Sequence, residues 1–253
     1  SGALNSFALQ VTRYALEDLY KGKLIYAGGD DLLAMICIDD FLPAMLTLRY
    51  CYSGVFPEGK EGERVRDLLG LPSDGELKIG KGHLWLRTGR ERRLLRVMGT
   101  LATVSLGAVI AHHTAPLSRV LRILRRAERR AKQEGGRNAF AIDVIKRGGG
   151  AVELTCPWFP NDSFSSPSAV ETLIRLRDLI ASKEMSRRAV YLAQEWSRDL
   201  PSEETFLQAG GNLEQFRSMV EKTLVRQFRR QARDGAGDKA AEVAGQIVSL
   251  AME

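Results

Sequence analysis

Two apolar runs, Lys23-Leu24-Ile25-Tyr26-Ala27 and Leu32-Leu33-Ala34-Met35-Ile36, flank Gly28-Gly29-Asp30-Asp31. Such runs around a Gly/Asp turn predict a β-hairpin, with strands over 23–27 and 32–38. The hairpin puts two adjacent carboxylates at one tip. The glycines beside them allow positive φ and close approach of a ligand. Hard oxygen donors next to open glycines suit Mg²⁺ carrying a nucleotide triphosphate. Gly and Asp are also ordinary turn residues, so the tetrapeptide alone reads equally well as a plain surface turn. Its surroundings have to decide.

Upstream, Leu4, Phe7, Ala8, Val11, Ala15 and Leu19 recur at helical spacing, which predicts an amphipathic helix over 4–20. Downstream, Asp39 or Asp40 is expected to cap a helix over about 40–52. Residues 53–81 are rich in Gly, Pro and charge and read as a long loop with a short helix at 62–69. His83–Arg87 reads as a strand, Gly89-Arg90-Glu91-Arg92-Arg93 as a basic turn, and 100–111 as a buried strand. Pro116 starts a helix whose inner stripe is Leu117, Val120, Leu121, Leu124, Ala127 and Ala131. Gly135-Gly136 ends it, and strands follow at 139–146 and 151–156. A Pro- and Ser-rich break spans Pro157–Pro167, and beyond it the pattern is helical only. The expected fold is therefore α+β in residues 1–160 and all-α in residues 161–253.

Charge and cysteine content narrow the function. Ser118–Arg137 holds eight basic and two acidic residues, while the remainder of the chain holds 29 of each, from totals of 37 and 31. The net charge of +6 is thus local, and local positive charge implies an anionic partner such as phosphate or RNA. A solvated helix face is the alternative reading of these arginines. Cys37, Cys51 and Cys156 make neither a zinc knuckle nor a disulfide framework and fit a reducing cytoplasm. No run approaches the roughly 20 apolar residues of a membrane span.

Tyr26-Ala27-Gly28-Gly29-Asp30-Asp31-Leu32-Leu33-Ala34 resembles the signature of the large subunit of type III CRISPR effector complexes. Thr103–His113 with Pro116-Leu117 is similar to the next segment of that family, in its Cmr-type branch. Ala131–Asn138 and Lys146-Arg147-Gly148-Gly149 are similar to the segments after it, and the helical tail resembles the family's C-terminal domain. The resemblance implies a ferredoxin-like palm of the GGDEF/polymerase type, lacking its first strand, followed by an all-α helical bundle. It also implies nucleotidyl transfer: ATP converted to cyclic oligoadenylates when the complex binds target RNA. On that analogy Asp30 and Asp31 are the catalytic metal ligands for Mg²⁺ or Mn²⁺. Gly28, Gly29, Ser105, Gly107 and Lys132 line the nucleotide site. The implied partners are the other effector subunits, including a small helical subunit on the C-terminal domain, and crRNA and target RNA through the complex. The implied location is the prokaryotic cytoplasm.

The family's first palm strand, zinc-bearing region, other palm and nuclease-like domain have no counterpart in this sequence. The chain is therefore expected to be a fragment or one piece of a split subunit, inactive alone. An inactive scaffold is the competing reading. A diguanylate-cyclase-like domain is another, but Asp31 stands where those enzymes carry Glu, and Gly136 is an extra residue. His112 and His113 read as structural, because neighbours on a strand face opposite sides. Trp85, Trp158 and Trp196 read as packing residues, and Arg226, Arg229, Arg230 and Arg233 as a solvated helix side.

Overall fold

The computed structural model describes residues 2–73, 75–160, 164 and 166–251. It is a mixed α/β chain in two compact units, Ser1–Glu171 and Thr172–Glu253.

The first unit opens with a helix that begins as α1 (Gly2–Ser6) and continues through π-helical segments at Phe7–Val11 and Tyr14–Asp18. Its buried stripe is Phe7, Ala8, Val11, Ala15 and Leu16. The hairpin follows as β1 (Gly22–Gly28) and β2 (Asp31–Ile36), a two-stranded antiparallel sheet by itself. Then comes α2 (Ile38–Ser53). The expected Asp cap is corrected here. Cys37 occupies the N-cap without a side-chain bond, while Asp39 and Asp40 sit in the first turn, where their charge suits the helix dipole. Asp40 Oδ2 instead accepts from the Lys21 N–H at 2.9 Å.

The stretch expected to be a long loop is largely ordered. It holds α3 (Gly59–Leu69) and the first strand of a meander: β3 (Leu77–Gly80), β4 (His83–Thr88) and β5 (Glu91–Arg96). The basic turn is confined to Gly89-Arg90, and Glu91 onward is strand. Alternation explains this: Arg93 and Leu95 share one face of β5, and Arg92, Leu94 and Arg96 the other. The charge of the segment hid a period of two. The meander is tied to the end of α2 by Gly82 N–H to Gly54 O (3.0 Å) and Met98 N–H to Tyr52 O (3.0 Å). Tyr20 locks the core from the other side. Its hydroxyl donates to Leu69 O and lies 2.8 Å from Thr47 Oγ1.

The remaining sheet of this unit is β6 (Leu106–Ile110), β7 (Ala139–Ile145) and β8 (Ala151–Pro157), with β6 parallel to β7 and β7 antiparallel to β8. The crossover between the parallel strands is α4 (Leu117–Gln133), as parallel pairing requires. The strand is shorter than the expected 100–111 and begins after Ser105. Trp158, fully buried, donates its indole N–H to Val104 O at 2.8 Å.

The break before the helical region includes Asn161, Asp162, Ser163 and Ser165, which lie outside the described residues. Ser168 caps α5 (Ala169–Ala181), accepting from the Val170 N–H at 3.0 Å. In the second unit follow α6 (Arg188–Arg198), α7 (Glu203–Gln208), α8 (Leu213–Gln231) and α9 (Gly237–Ala251). Its core is Leu179, Met185, Leu224, Phe228, Val243 and Val248. A capping box at Asn212 and Gln215 starts α8. Arg226, Arg229, Arg230 and Arg233 are exposed, in keeping with a solvated helix side, and Arg229 makes a surface pair with Asp238 at 3.2 Å.

Candidate active site at the acidic hairpin

The turn of the hairpin is Gly29-Asp30, with Gly28 and Asp31 as the last cross-strand pair. Gly29 has φ of 61°, and Asp30 is not among the positive-φ residues. That is the requirement of a type II′ turn, which needs glycine first. Both carboxylates are exposed at the tip. They come from adjacent positions because the turn ends between them.

β1 carries a β-bulge that no local pattern announces. Leu24 pairs with Ala34 and Tyr26 with Leu33, which leaves Ile25 as the extra residue. A bulge re-aims the side chains beyond it. Here Ile25 and Tyr26 are both more than half exposed. The ring of Tyr26 lies over Gly28: a Cβ on Gly28 would meet the Tyr26 hydroxyl and lie 2.8 Å from Cζ. Glu17 braces the bulged strand, accepting from the Leu24 N–H at 3.1 Å and pairing with Lys23 at 2.9 Å. Those bonds, that to Lys23 first, hold the Glu17 carboxyl below its usual range.

Lys132 sits in the last turn of α4 and is brought into the electrostatic range of the tip. Its pKa is raised, first by the hydrogen bond to Glu128 Oε1 (2.6 Å) and Glu128's charge, then by the charges of Asp31 and Asp30. The Lys132–Glu128 pair is an exposed i,i+4 bridge, worth only about 0.3–0.5 kcal/mol, so an incoming anion displaces it cheaply. Tyr52 also feels the tip. Burial raises its phenol, and Asp30 raises it further.

Two other expected site residues have visible structural work. Gly107 lies under α4, where a Cβ would meet the Glu128 amide N and sit 2.8 Å from Glu128 Cα. Helix and strand therefore pack closely there, with Ala127, Ala131 and Ala141 forming the small-residue seam. The Ser105 hydroxyl donates to Arg137 O at 2.8 Å, tying the approach of β6 to the end of the α4 turn.

The arginines of α4 divide into two sets. Arg126 and Arg130 face the sheet and share Asp143, whose side chain is fully buried, and Glu153. Arg130 Nε also donates to Thr155 Oγ1 at 2.7 Å. Arg122, Arg125 and Arg129 instead line a groove of about 430 Å³ with Ser118 and Leu121. Like charges three and four residues apart repel, which leaves this face a net attractor of anions. The sequence did carry one signal for the first set: Asp143 is a lone charge inside the apolar run Ala139–Ile145.

His112 and His113 do not face opposite sides, because β6 ends at Ile110. Their rings lie 4.2 Å apart at 38°. Among the described residues no group of three or more His, Cys, Asp or Glu is arranged to hold a metal. Asp30 and Asp31 are thus a two-carboxylate, oxygen-only donor pair. That set fits Mg²⁺, which is held by one or two carboxylates together with substrate phosphates rather than by an all-protein cage.

An acidic hairpin tip on a mixed α/β unit, with a lysine from a strand–helix–strand crossover beside it, is the make-up of a nucleotidyltransferase-like palm. Comparison of the sequence with family models agrees: residues 1–68 match Cas10/Cmr2, second palm domain. The match runs from the N-terminal helix through the hairpin and α2 into α3. Over this segment the chain is similar to the second palm domain of Cas10/Cmr2, in line with the sequence resemblance. No curated protein sequence matches the chain. Among the described residues no helix is long and apolar enough to cross a membrane.

Proposed function

We propose that the chain supplies the palm that builds cyclic oligoadenylates from ATP, within a type III effector complex that has bound target RNA. The carrying observation is the glycine-first hairpin turn that sets Asp30 and Asp31 side by side and exposed at one tip. In this reading Asp30 and Asp31 hold Mg²⁺, with Mn²⁺ as a substitute. The bound metal supplies charge neutralisation on the phosphoryl oxygens as one nucleotide is joined to the next. Gly28 and Gly29 leave the tip open for the nucleotide to approach the backbone. Lys132 exchanges Glu128 for the triphosphate and acts as a point charge. Ser105 and Gly107 shape the pocket floor by setting the height of α4 over β6.

The same reading takes residues 1–160 as a ferredoxin-like palm without its first strand and 161–253 as a helical bundle domain. The separation of the β1–β2 hairpin from the β6–β7–β8 sheet supports it, since a missing strand would otherwise join the two. The helical domain is assigned to a small helical subunit, and the complex brings crRNA and target RNA in the prokaryotic cytoplasm. A scaffold role is the second reading. The two-carboxylate set and the Lys132–Glu128 pair favour it where no nucleotide enters.

Equilibrium binding of ATP in Mg²⁺ tests the site. Asp30→Ala/Asp31→Ala is expected to lose at least tenfold in affinity and Lys132→Ala several-fold. Affinities equal to wild type in both variants refute the first reading.

A further inference from the structure

The meander β3–β4–β5 carries a surface that the acidic hairpin does not use. Its register puts Leu77, Ile79, Leu84, Leu86 and Leu95 on one buried face. The opposite face is basic and aromatic. Lys78, Trp85 and Leu94 form one cross-strand row, and Arg87 and Arg92 form the next. Arg96, opposite His83, lies on the same side. Trp85 is 41% exposed and Leu94 is 51% exposed. The guanidinium of Arg92 stands 5.8 Å from the centroid of the Trp85 ring. This corrects the reading of Trp85 as a packing residue: that role belongs to Trp158, which is fully buried.

The face is costly as a bare surface. Arg87 and Arg92 are directly opposite, and like charges across strands repel. The one acid of β5, Glu91, alternates to the other side and pairs with Arg93. Lys78, Arg87, Arg92 and Arg96 have no ion pair among the described residues. An exposed indole ringed by unpaired cations complements a strand that offers stackable bases and phosphates together.

We propose that the outer face of β3–β4–β5 binds single-stranded nucleic acid. One base stacks on Trp85, and the flanking phosphates pair with Lys78, Arg87, Arg92 and Arg96. The face has no fork of amide or carboxylate groups for reading base edges, so binding is tolerant of sequence. It is independent of nucleotidyl transfer.

Fluorescence anisotropy of a labelled ten-nucleotide oligouridylate, titrated with the full chain at several salt concentrations, tests this. Trp85→Ala is expected to weaken binding about 5- to 100-fold with the salt slope unchanged, and Trp85→Phe to stay within about threefold of wild type. Arg87→Gln/Arg92→Gln is expected to flatten the slope of log K against log salt by about 0.7 per arginine. A matching DNA strand binds within a few-fold, because stacking and phosphate pairing ignore the sugar. No binding by the wild type, wild-type affinity in Trp85→Ala, or equal affinity for a duplex or poly-glutamate overturns the proposal. Thermal melts of Trp85→Phe and Trp85→Ala that match wild type separate lost binding from lost folding.

Discussion

Removing Asp143 tests what holds α4 at its working height. Asp143 is fully buried and accepts from Arg130 Nη2 and from Arg126 Nη2, the latter at 3.3 Å. Breaking a buried pair by removing one partner costs about 3–5 kcal/mol, because the other charge is stranded. Arg130 would retain Glu153 at 3.1 Å and Thr155, which offsets part of that loss. We therefore expect about 3 kcal/mol for Asp143→Ala, at the low end of that range. Glu153→Gln, on a half-exposed partner, should cost about 0.5 kcal/mol. Asp143→Ala/Arg130→Met removes both charges and should recover much of the loss. Urea unfolding followed by the fluorescence of buried Trp158, in a background with Trp85 and Trp196 changed to Phe, reads all three. The double variant should also bind Mg·ATP better than Asp143→Ala, since α4 carries Lys132. A cost below about 1 kcal/mol for Asp143→Ala would refute the idea that this network seats the helix.

Gly107→Ala forces a Cβ against the Glu128 backbone, which cannot swing aside, so it should cost about 1–3 kcal/mol and weaken ATP binding with it. Unchanged stability with ATP binding lost would instead make Gly107 a direct nucleotide contact. Burial pushes the Cys51 thiol up to about 12, so the folded state keeps a proton that the unfolded chain releases near pH 9. Stability from this group is present below about pH 9 and is lost at about 1.4 kcal/mol per pH unit above it. Buried Tyr20 and Tyr50 are raised too and act in the same direction at higher pH. Urea midpoints from pH 8 to 10.5 check this, and Cys51→Ala should flatten the decline. In native buffer a disulfide reagent should modify exposed Cys37 rapidly and leave Cys51 untouched until the protein unfolds.

Much of the organisation was legible because local rules and tertiary structure agree. The glycine-first turn set the hairpin, Pro116 set the start of α4, and Ser168 set a helix start by capping. Misreadings arose where charge masked periodicity. Arg92 and Arg93 read as a turn, yet they alternate faces of β5. The arginines of α4 read as one anion-attracting or solvated set, yet Arg126 and Arg130 reach across to Asp143 on β7, a partner set by tertiary contact. The bulge at Ile25 was invisible because a register shift depends on the partner strand. At the candidate site, the sequence marked Asp30, Asp31 and Lys132. The positions of Tyr26 over Gly28 and of Tyr52 near Asp30 depend on folding and leave no local pattern.

The central claim is that Asp30 and Asp31 at the hairpin tip carry nucleotidyl transfer. Its most direct measurement supplies ATP, Mg²⁺ and target RNA to the effector complex assembled with this chain and resolves the products by mass. Cyclic oligoadenylates are expected with the wild-type chain and none with Asp30→Ala/Asp31→Ala in an equally assembled complex. The same product in similar yield from the double variant would contradict the claim.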